Sequence, residues 1–318
     1  MNLLKSLDGA PRLLAEVALH PIQGSRFQPT GFPDIGPATY QGFNQEGQKE
    51  NMLLVESAQS MANRLEAVIW DEASQNLIPE LQGLPYVRIL DKNGDFLSCS
   101  ILEAHRLNSA RIEKANNGEF HKTLAKEMDY QKDRPINMGK VYETILKYDP
   151  NSLVHGIFLE SIAGRIRFPR VMTAFVEAAR VERAASGGVK FDHLAPEKSE
   201  GQTAKEGFGN VPFHRDEFSG IVTGYFNLDL AQVRGFRLPE EAQELIIALA
   251  LLKMRLVLDM GLRLRTACDF DASDPKVARP SNFTIPAKQE LLGAMPGLIE
   301  NCQSHFADPA VTEVTFKA

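Results

Sequence analysis

Residues 222–265 read VTGYFNLDLAQVRGFRLPEEAQELIIALALLKMRLVLDMGLRLR, and this stretch sets the fold class. In its first part Val222, Gly224, Phe226, Leu228 and Leu230 alternate with Thr223, Tyr225, Asn227 and Asp229. Neighbouring side chains of a strand point to opposite faces, so this period of two predicts a strand with one buried face. The period then changes. Ala242, Leu245, Ile246, Leu249, Leu252 and Leu256 form one apolar stripe of a helix running from Pro239 to Met260. Pro239 suits the first turn, Glu240 and Glu241 complement the positive end of the helix dipole, and Gly261 suits the C-terminal cap. Leu262-Arg263-Leu264-Arg265 returns to period two, with leucines on one face and arginines on the other.

Upstream, Ser57 is a natural N-cap for a helix whose apolar face is Ala58, Met61, Ala62, Leu65 and Ile69. Val17 to Ile22 reads as a short strand broken by Pro21, Ser152 to Ile162 as a strand of mixed alternation, and Arg165 to Val171 as another. Met172 to Arg183 fits strand or helix, Gly187-Gly188 a turn or hinge, and Asp192 to Pro212 a mobile loop rich in Gly, Lys, Glu and Ser. Residues 77–135 read as an irregular, exposed insertion, with a hairpin turn at Asp91 to Asp95. The coarse order is strand, helix, strand, strand, helix, strand. That is an α+β chain in the ferredoxin-like pattern, shared by RNA-recognition-motif domains. No repeat divides it, and residues 1–318 read as a single domain.

The 318 residues are 43% hydrophobic and 24% charged, which suffices for a sizeable core without a disulfide or metal staple. Cys99, Cys268 and Cys302 form no CxxC pair and fit a reduced, cytoplasmic setting. Lys5, Asp8, Arg12 and Glu16 interrupt any N-terminal signal-like apolar run, and the longest apolar stretch, Ile246 to Leu252, is too short to span a bilayer. No HExxH, Walker A, GxGxxG or GxSxG motif is present, and the seven histidines lack ligand spacing. These absences predict no metal, no cofactor and no catalysis.

The net charge of −6 argues against binding a polyanion. Its distribution argues the other way. Between Ser161 and Phe191 stand six cations (Arg165, Arg167, Arg170, Arg180, Arg183, Lys190) and two anions (Glu177, Glu182). A basic middle on an acidic chain suits one polyanion-binding face. A cluster of arginines is also, commonly, a solvated face paired with carboxylates. Arg263 and Arg265 share a strand face and carry the same two readings.

The segment from Gly24 to Pro37 holds three glycines and three prolines in fourteen residues and forms a long shaped loop. In one reading its backbone amides with Ser25, Arg26 and Gln28 meet phosphate oxygens while Phe27 stacks on a base. In the other, Phe27 and Phe32 are tucked into the core. The helix face carrying Ser57, Ser60 and Arg64 is an anion site or ordinary capping.

The motif runs resemble a known family. Gly24 to Asp34 (GSRFQPTGFPD) followed by Leu54 to Glu66 (LVESAQSMANRLE) looks like the backbone subunit of type I-G (formerly I-U) CRISPR Cascade, a Cas-seven-type member of the RAMP superfamily. The resemblance continues through Leu102 to Ser109, Arg183 to Lys190, Gly209 to Arg215, Tyr225 to Leu230 and Gly261 to Ala267. It implies a modified RNA-recognition-motif palm with thumb and finger insertions, for which 77–135 and 192–215 are the candidates. It also implies copies stacked head to tail along a CRISPR guide RNA (crRNA), contacts with other Cascade subunits, and target DNA read through pairing with the guide in antiviral defence. Polarity and motif membership give the expected RNA-binding set: Ser25, Arg26, Phe27, Gln28, Ser60, Asn63, Arg64, Arg165, Arg167, Arg170, Lys190, His214, Arg215, Arg263 and Arg265. Two alternatives stand beside it. One is an RNA-cleaving backbone subunit, as in type III complexes, using Asp34; the other is a small-molecule enzyme on a ferredoxin-like scaffold.

Overall fold

The computed structural model describes residues 2–32, 35–44, 46–164, 166–191 and 209–317. In chain order the elements that position the site are β1 (Arg12–Pro21), β2 (Thr39–Phe43), β3 (Lys49–Glu56), α1 (Ala58–Ala67), β4 (Tyr86–Leu90), β5 (Phe96–Cys99), α2 (Glu119–Glu127), α3 (Met138–Tyr148) and α4 (Pro150–His155). There follow β6 (Ile157–Leu159), β7 (Ile166–Phe168), β8 (Met172–Lys190), β9 (Val211–Asp229), α5 (Glu240–Asp259), β10 (Leu262–Arg265), β11 (Cys268–Ala272), β12 (Lys276–Arg279), α6 (Lys288–Cys302) and β13 (Val311–Thr315).

The main sheet is antiparallel in every pairing, in the order β10-β11-β1-β9-β8-β3-β2, with β12 also paired to β1. Alternation explains its inner face. Leu13, Ala15, Val17 and Leu19 of β1 are buried, and so are Val222, Phe226 and Leu228 of β9 and Leu262 and Leu264 of β10. Helices α1 and α5 bury Met61, Leu65, Leu245, Ile246, Leu249 and Leu252 in the same apolar core. The chain is thus mixed α and β with antiparallel sheets. Ser57 caps α1 as its sequence predicts, its Oγ accepting from the Ser60 amide at 3.3 Å.

Several expectations need correction. Residues 152–162 are not a strand: α4 runs to His155, β6 covers only Ile157–Leu159, and a short helix follows at Glu160–Ala163. Pro150 to His155 are buried throughout, so their apolar content carries no face pattern. Met172 to Arg183, open to either reading, is strand: it pairs with β9, and Val176 to Ala179 pair with β3 on the other edge. Gly187-Gly188 is no turn, since Gly187 pairs with His214 and Gly188 with Phe213. A Cβ on Gly188 would stand 3.1 Å from the Phe213 ring, and one on Gly187 would stand 2.7 Å from the Phe213 carbonyl oxygen. These glycines make cross-strand room. The proposed 192–215 loop lies outside the described residues from 192 to 208, and β9 already begins at Val211.

Residues 77–135 are more than an exposed excursion. The Asp91 turn is present, with Asp91 Oδ1 accepting from the amides of Asn93 (2.7 Å) and Asp95 (3.0 Å). It joins β4 to β5, and β4 pairs in parallel with the C-terminal β13. Ile112, Phe120, Leu124 and Met128 are buried in the same core as the main sheet.

The distal parts of β8 and β9 leave the sheet. β8 last pairs β3 at Ala179, and β9 pairs β1 no earlier than Val222. From Glu182↔Ser219 to Lys190↔Val211 the strands pair with each other, apart from a bridge between Phe27 and Phe218 at the base. This ribbon exposes Val189, Phe191, Val211 and Phe213.

Candidate functional site

The Gly24 loop, the start of α1 and the strand β10 meet around one carboxylate. Glu56, 1% exposed, ends β3. Its Oε1 accepts from Arg64 Nε at 3.0 Å and, in a close contact, from Ser60 Oγ; its Oε2 takes a close contact from Arg265 Nη2. Arg64 also donates to the carbonyls of Arg263 (3.3 Å) and Leu264 (2.6 Å), and Arg265 to that of Gln28 (3.3 Å). Ser60, Arg64 and Arg265 are therefore brought together as the sequence suggests, but their donors point inward to a buried anion. That is the carboxylate-paired reading of an arginine cluster.

The remaining members of this group divide. Phe27 is 1% exposed, its ring 5.5 Å from that of Phe270, so the base-stacking expectation is overturned in favour of core packing. Its backbone bridges to Phe218, which fixes the loop against the sheet. Ser25 and Asn63 are exposed. Arg26 pairs with Glu217 at 3.2 Å, and Arg263 with Asp269 at 3.4 Å. On the ribbon, Arg215 donates to Gln28 Oε1 at 3.1 Å and lies 5.1 Å from the Phe213 ring centroid. His214 approaches Asp216 at 3.2 Å, and Lys190 is exposed at the distal end.

Arg167 and Arg170 lie elsewhere, in an open cleft of about 920 Å³ also lined by Arg106, His155, Gly156 and Phe158. Arg165 is outside the described residues. Phe158 and Arg167 face each other across the β6–β7 pair, the guanidinium carbon 6.0 Å from the ring centroid. Among the described residues neither Arg167 nor Arg170 has a carboxylate partner, and Arg170 Nε is buried without a hydrogen bond. Burial, and then the charge of Arg106, lower the Arg170 pKa.

Behind this cleft runs a buried polar chain that sequence reasoning missed. Arg106 grips Glu66 with Nε (2.6 Å) and Nη2 (2.7 Å) and donates from Nη1 to the Gly156 carbonyl at 3.1 Å. Asn151 Nδ2 donates to Glu66 at 3.0 Å, and Asn151 Oδ1 takes a close contact from Lys253 Nζ. Lys253, fully buried on α5, also lies 2.9 Å from His155 Nε2. Burial lowers Lys253 to about 7 and holds His155 well below its ordinary value, the Lys253 charge adding to the effect. The signal available in sequence was Lys253 itself, a single cation inside an apolar run.

The backbone fixes the cleft wall. Gly156 has φ +74°, and a Cβ there would stand 2.8 Å from the Arg170 nitrogen and the Pro169 carbonyl carbon. Only glycine fits this approach. Cys99, Cys268 and Cys302 are buried free thiols pushed up to about 12 by burial, which makes them inert as nucleophiles. Among the described residues no group of three His, Cys, Asp or Glu side chains could hold a metal ion, and no helix is long and apolar enough to cross a membrane. Asp34, the carboxylate of the cleavage alternative, lies outside the described residues.

Among curated proteins no match was found. Among solved structures, a chain titled "CRISPR RNA-guided surveillance complex, pre-nicking" is 12% identical, with 92% of this chain and 88% of that one covered and a TM-score of 0.38. Csc2 of Thermofilum pendens is 9% identical, with 92% and 79% covered and a TM-score of 0.33. The architecture rests on the strand pairing given above rather than on either likeness. The family described as CRISPR-associated protein GSU0053 matches residues 13–183. That span takes in β1 from Leu13, the Gly24 loop, Glu56 with Ser60 and Arg64, the Arg167–Arg170 cleft and most of β8's paired length, and leaves out Arg265. With more than half of its 318 residues matched, this chain belongs to the CRISPR-associated GSU0053 family.

Proposed function

We propose that this protein is a non-catalytic, guide-RNA-binding backbone subunit of a type I CRISPR Cascade complex, of the I-G type. Its copies assemble head to tail along the crRNA, contact other Cascade subunits, and present the guide for pairing with target DNA in the cytoplasm. The observation that carries the reading is membership of a CRISPR-associated family across a segment containing five of the six cations of the chain's basic middle. A ferredoxin-like palm is supported by the order of its central strands, β11-β1-β9-β8, with α1 and α5 in the two long connections. The protruding β8–β9 ribbon, with its exposed apolar tip, is an element able to reach a neighbouring copy. It leads into the finger candidate at 192–215, while 77–135 remains the thumb candidate.

In this role base pairing supplies sequence specificity and the protein supplies backbone contacts. Head-to-tail contacts that do not close on themselves generate a helical filament. The decisive measurement is the 260/280 nm absorbance ratio of the purified protein before and after ribonuclease. The expected outcome is co-purified RNA, with binding that weakens steeply as salt is added. Protein free of nucleic acid, and no association with added single-stranded RNA at low salt, refutes the reading.

A further inference from the structure

The cleft between the short helices at residues 106–114 and the β6–β7 pair has the features of a ligand site that the Glu56 cluster lacks. Its volume of about 920 Å³ falls in the range of roughly 300–1,000 Å³ usual for small-ligand sites. Arg170 is half-buried, and no carboxylate among the described residues pairs with it. Glu113 and Glu160 stand on the lining, yet neither forms an ion pair with Arg167 or Arg170 among the described residues. A guanidinium held this way retains its donors for an incoming anion.

A second observation comes from His155, 1% exposed and on the cleft wall. While Lys253 holds its proton, Nζ has only donors, and its approach to His155 Nε2 at 2.9 Å makes that nitrogen the acceptor. The ring proton is thereby assigned to Nδ1. Among the described residues His155 Nδ1 has no hydrogen-bond partner, so with Lys253 protonated a buried N–H donor beside Arg170 is left unsatisfied. The third observation is Phe158, an exposed aromatic ring with the Arg167 guanidinium over it. An exposed ring next to unpaired cations matches the stacking platforms of single-strand binders. An acidic peptide would use the arginines and leave the ring without a role.

We propose that this cleft holds one nucleoside phosphate unit, with the phosphate at Arg170 and the base stacked on Phe158 beneath Arg167. The assignment rests on the RNA-binding reading and adds a site to it. The same chemistry could come from a strand or from a free nucleotide, and one titration separates them. Labelled single-stranded RNA is titrated by fluorescence anisotropy into the full-length protein and into Phe158→Ala, Arg167→Ala and Arg170→Gln. Phe158 and Arg167 are exposed, so those two variants keep the fold even if Arg170→Gln does not.

Loss of the stacked ring is expected to weaken binding by about tenfold, with Phe158→Trp restoring it. Adenosine 5′-monophosphate that competes at millimolar concentration marks a site open to free nucleotides. Failure to compete, with the Phe158→Ala loss intact, marks a site for strand alone. RNA bound equally well by wild type, Phe158→Ala and Arg167→Ala overturns the cleft assignment and leaves the RNA-binding reading standing. No RNA bound by wild type overturns both. Self-association lost in Arg167→Ala with RNA affinity unchanged would assign the cleft to an acidic segment of a second copy, and overturns the proposal.

Discussion

Lys253 is the residue in which packing and protonation are most tightly coupled. It sits within the apolar run of α5 with no solvent exposure, and among the described residues its ammonium forms hydrogen bonds with Asn151 Oδ1 and His155 Nε2. Burial lowers its pKa to about 7, whereas in the unfolded chain lysine titrates near 10.4. Above about pH 7 the unfolded chain therefore holds a proton that the fold does not, and stability must rise with pH. Asp149 has the opposite slope. Burial raises it to about 6, so between roughly pH 4 and 6 the fold holds the extra proton and stability falls as pH rises. The three buried thiols, pushed up to about 12, add another falling slope once unfolded thiols ionise near about 8.5. Between pH 7 and 8.5 the three thiols already oppose Lys253 by about 1 kcal/mol together, so the difference between wild type and a variant without the ammonium isolates this group. Its unfolding free energy should increase there by about 1.5 kcal/mol through this group. Lys253→Met, similar in volume and without a charge, should lack that increase. Urea unfolding of both proteins at the two pH values measures it, and equal changes in the two would remove Lys253 as the cause.

At the scale of elements, legibility followed whether the deciding force was local. Helix α5 carries its own start and stop, with Glu240 and Glu241 in the first turn and Gly261 at φ +68° just past the end. Strand β10 kept its leucine and arginine faces. Where the decision was made by a distant partner, the sequence left the choice open or misled. Alanine-rich Met172 to Arg183 has helical propensity, and only two neighbouring strands hold it extended. Gly187-Gly188 resembles a turn until Phe213 is seen opposite. Pairing of the arginines with carboxylates was one of the two readings open in the sequence, but which carboxylate each arginine meets was not legible. Glu56 and Arg265 are 209 residues apart in sequence, so nothing local announces the pair. The ribbon allows an element-scale prediction. Arg183 pairs with Phe218, so replacing residues 184–217 by Asn-Gly leaves a two-residue hairpin and retains the Phe27 bridge. The distal strands bury little of the core, and the thermal midpoint should move by less than about 5 °C. Light scattering with long single-stranded RNA should then show single-protomer complexes instead of assemblies. Assemblies of undiminished size would exclude the ribbon as a contact between copies.

For the molecule as a whole, the question is how a chain of net charge −6 could hold a polyanion. The ion pairs separate two kinds of arginine. Arg26, Arg64, Arg180, Arg183, Arg263 and Arg265 each meet a carboxylate, whereas Arg167 and Arg170 meet none among the described residues. A paired arginine contributes little net field, because its partner cancels it at distances beyond a few ångströms. Binding should therefore come from few cations, and its salt dependence counts them. Each phosphate neutralised on a single strand contributes about −0.7 to the slope of log K against log salt. Arg167→Ala with Arg170→Ala should make the slope shallower by about 0.7, because Arg170 meets the one phosphate of the cleft. Arg64→Ala with Arg265→Ala removes two positive charges as well, but both face Glu56, so the slope should stay near the wild-type value while stability falls by about 3 kcal/mol, leaving a buried carboxylate unpaired. Binding isotherms for the three proteins at several salt concentrations, with urea unfolding as the parallel measurement, distinguish the two clusters. A slope that drops for the Arg64 and Arg265 variant and holds for the Arg167 and Arg170 variant would reverse the assignment and return the interface to the Gly24 loop.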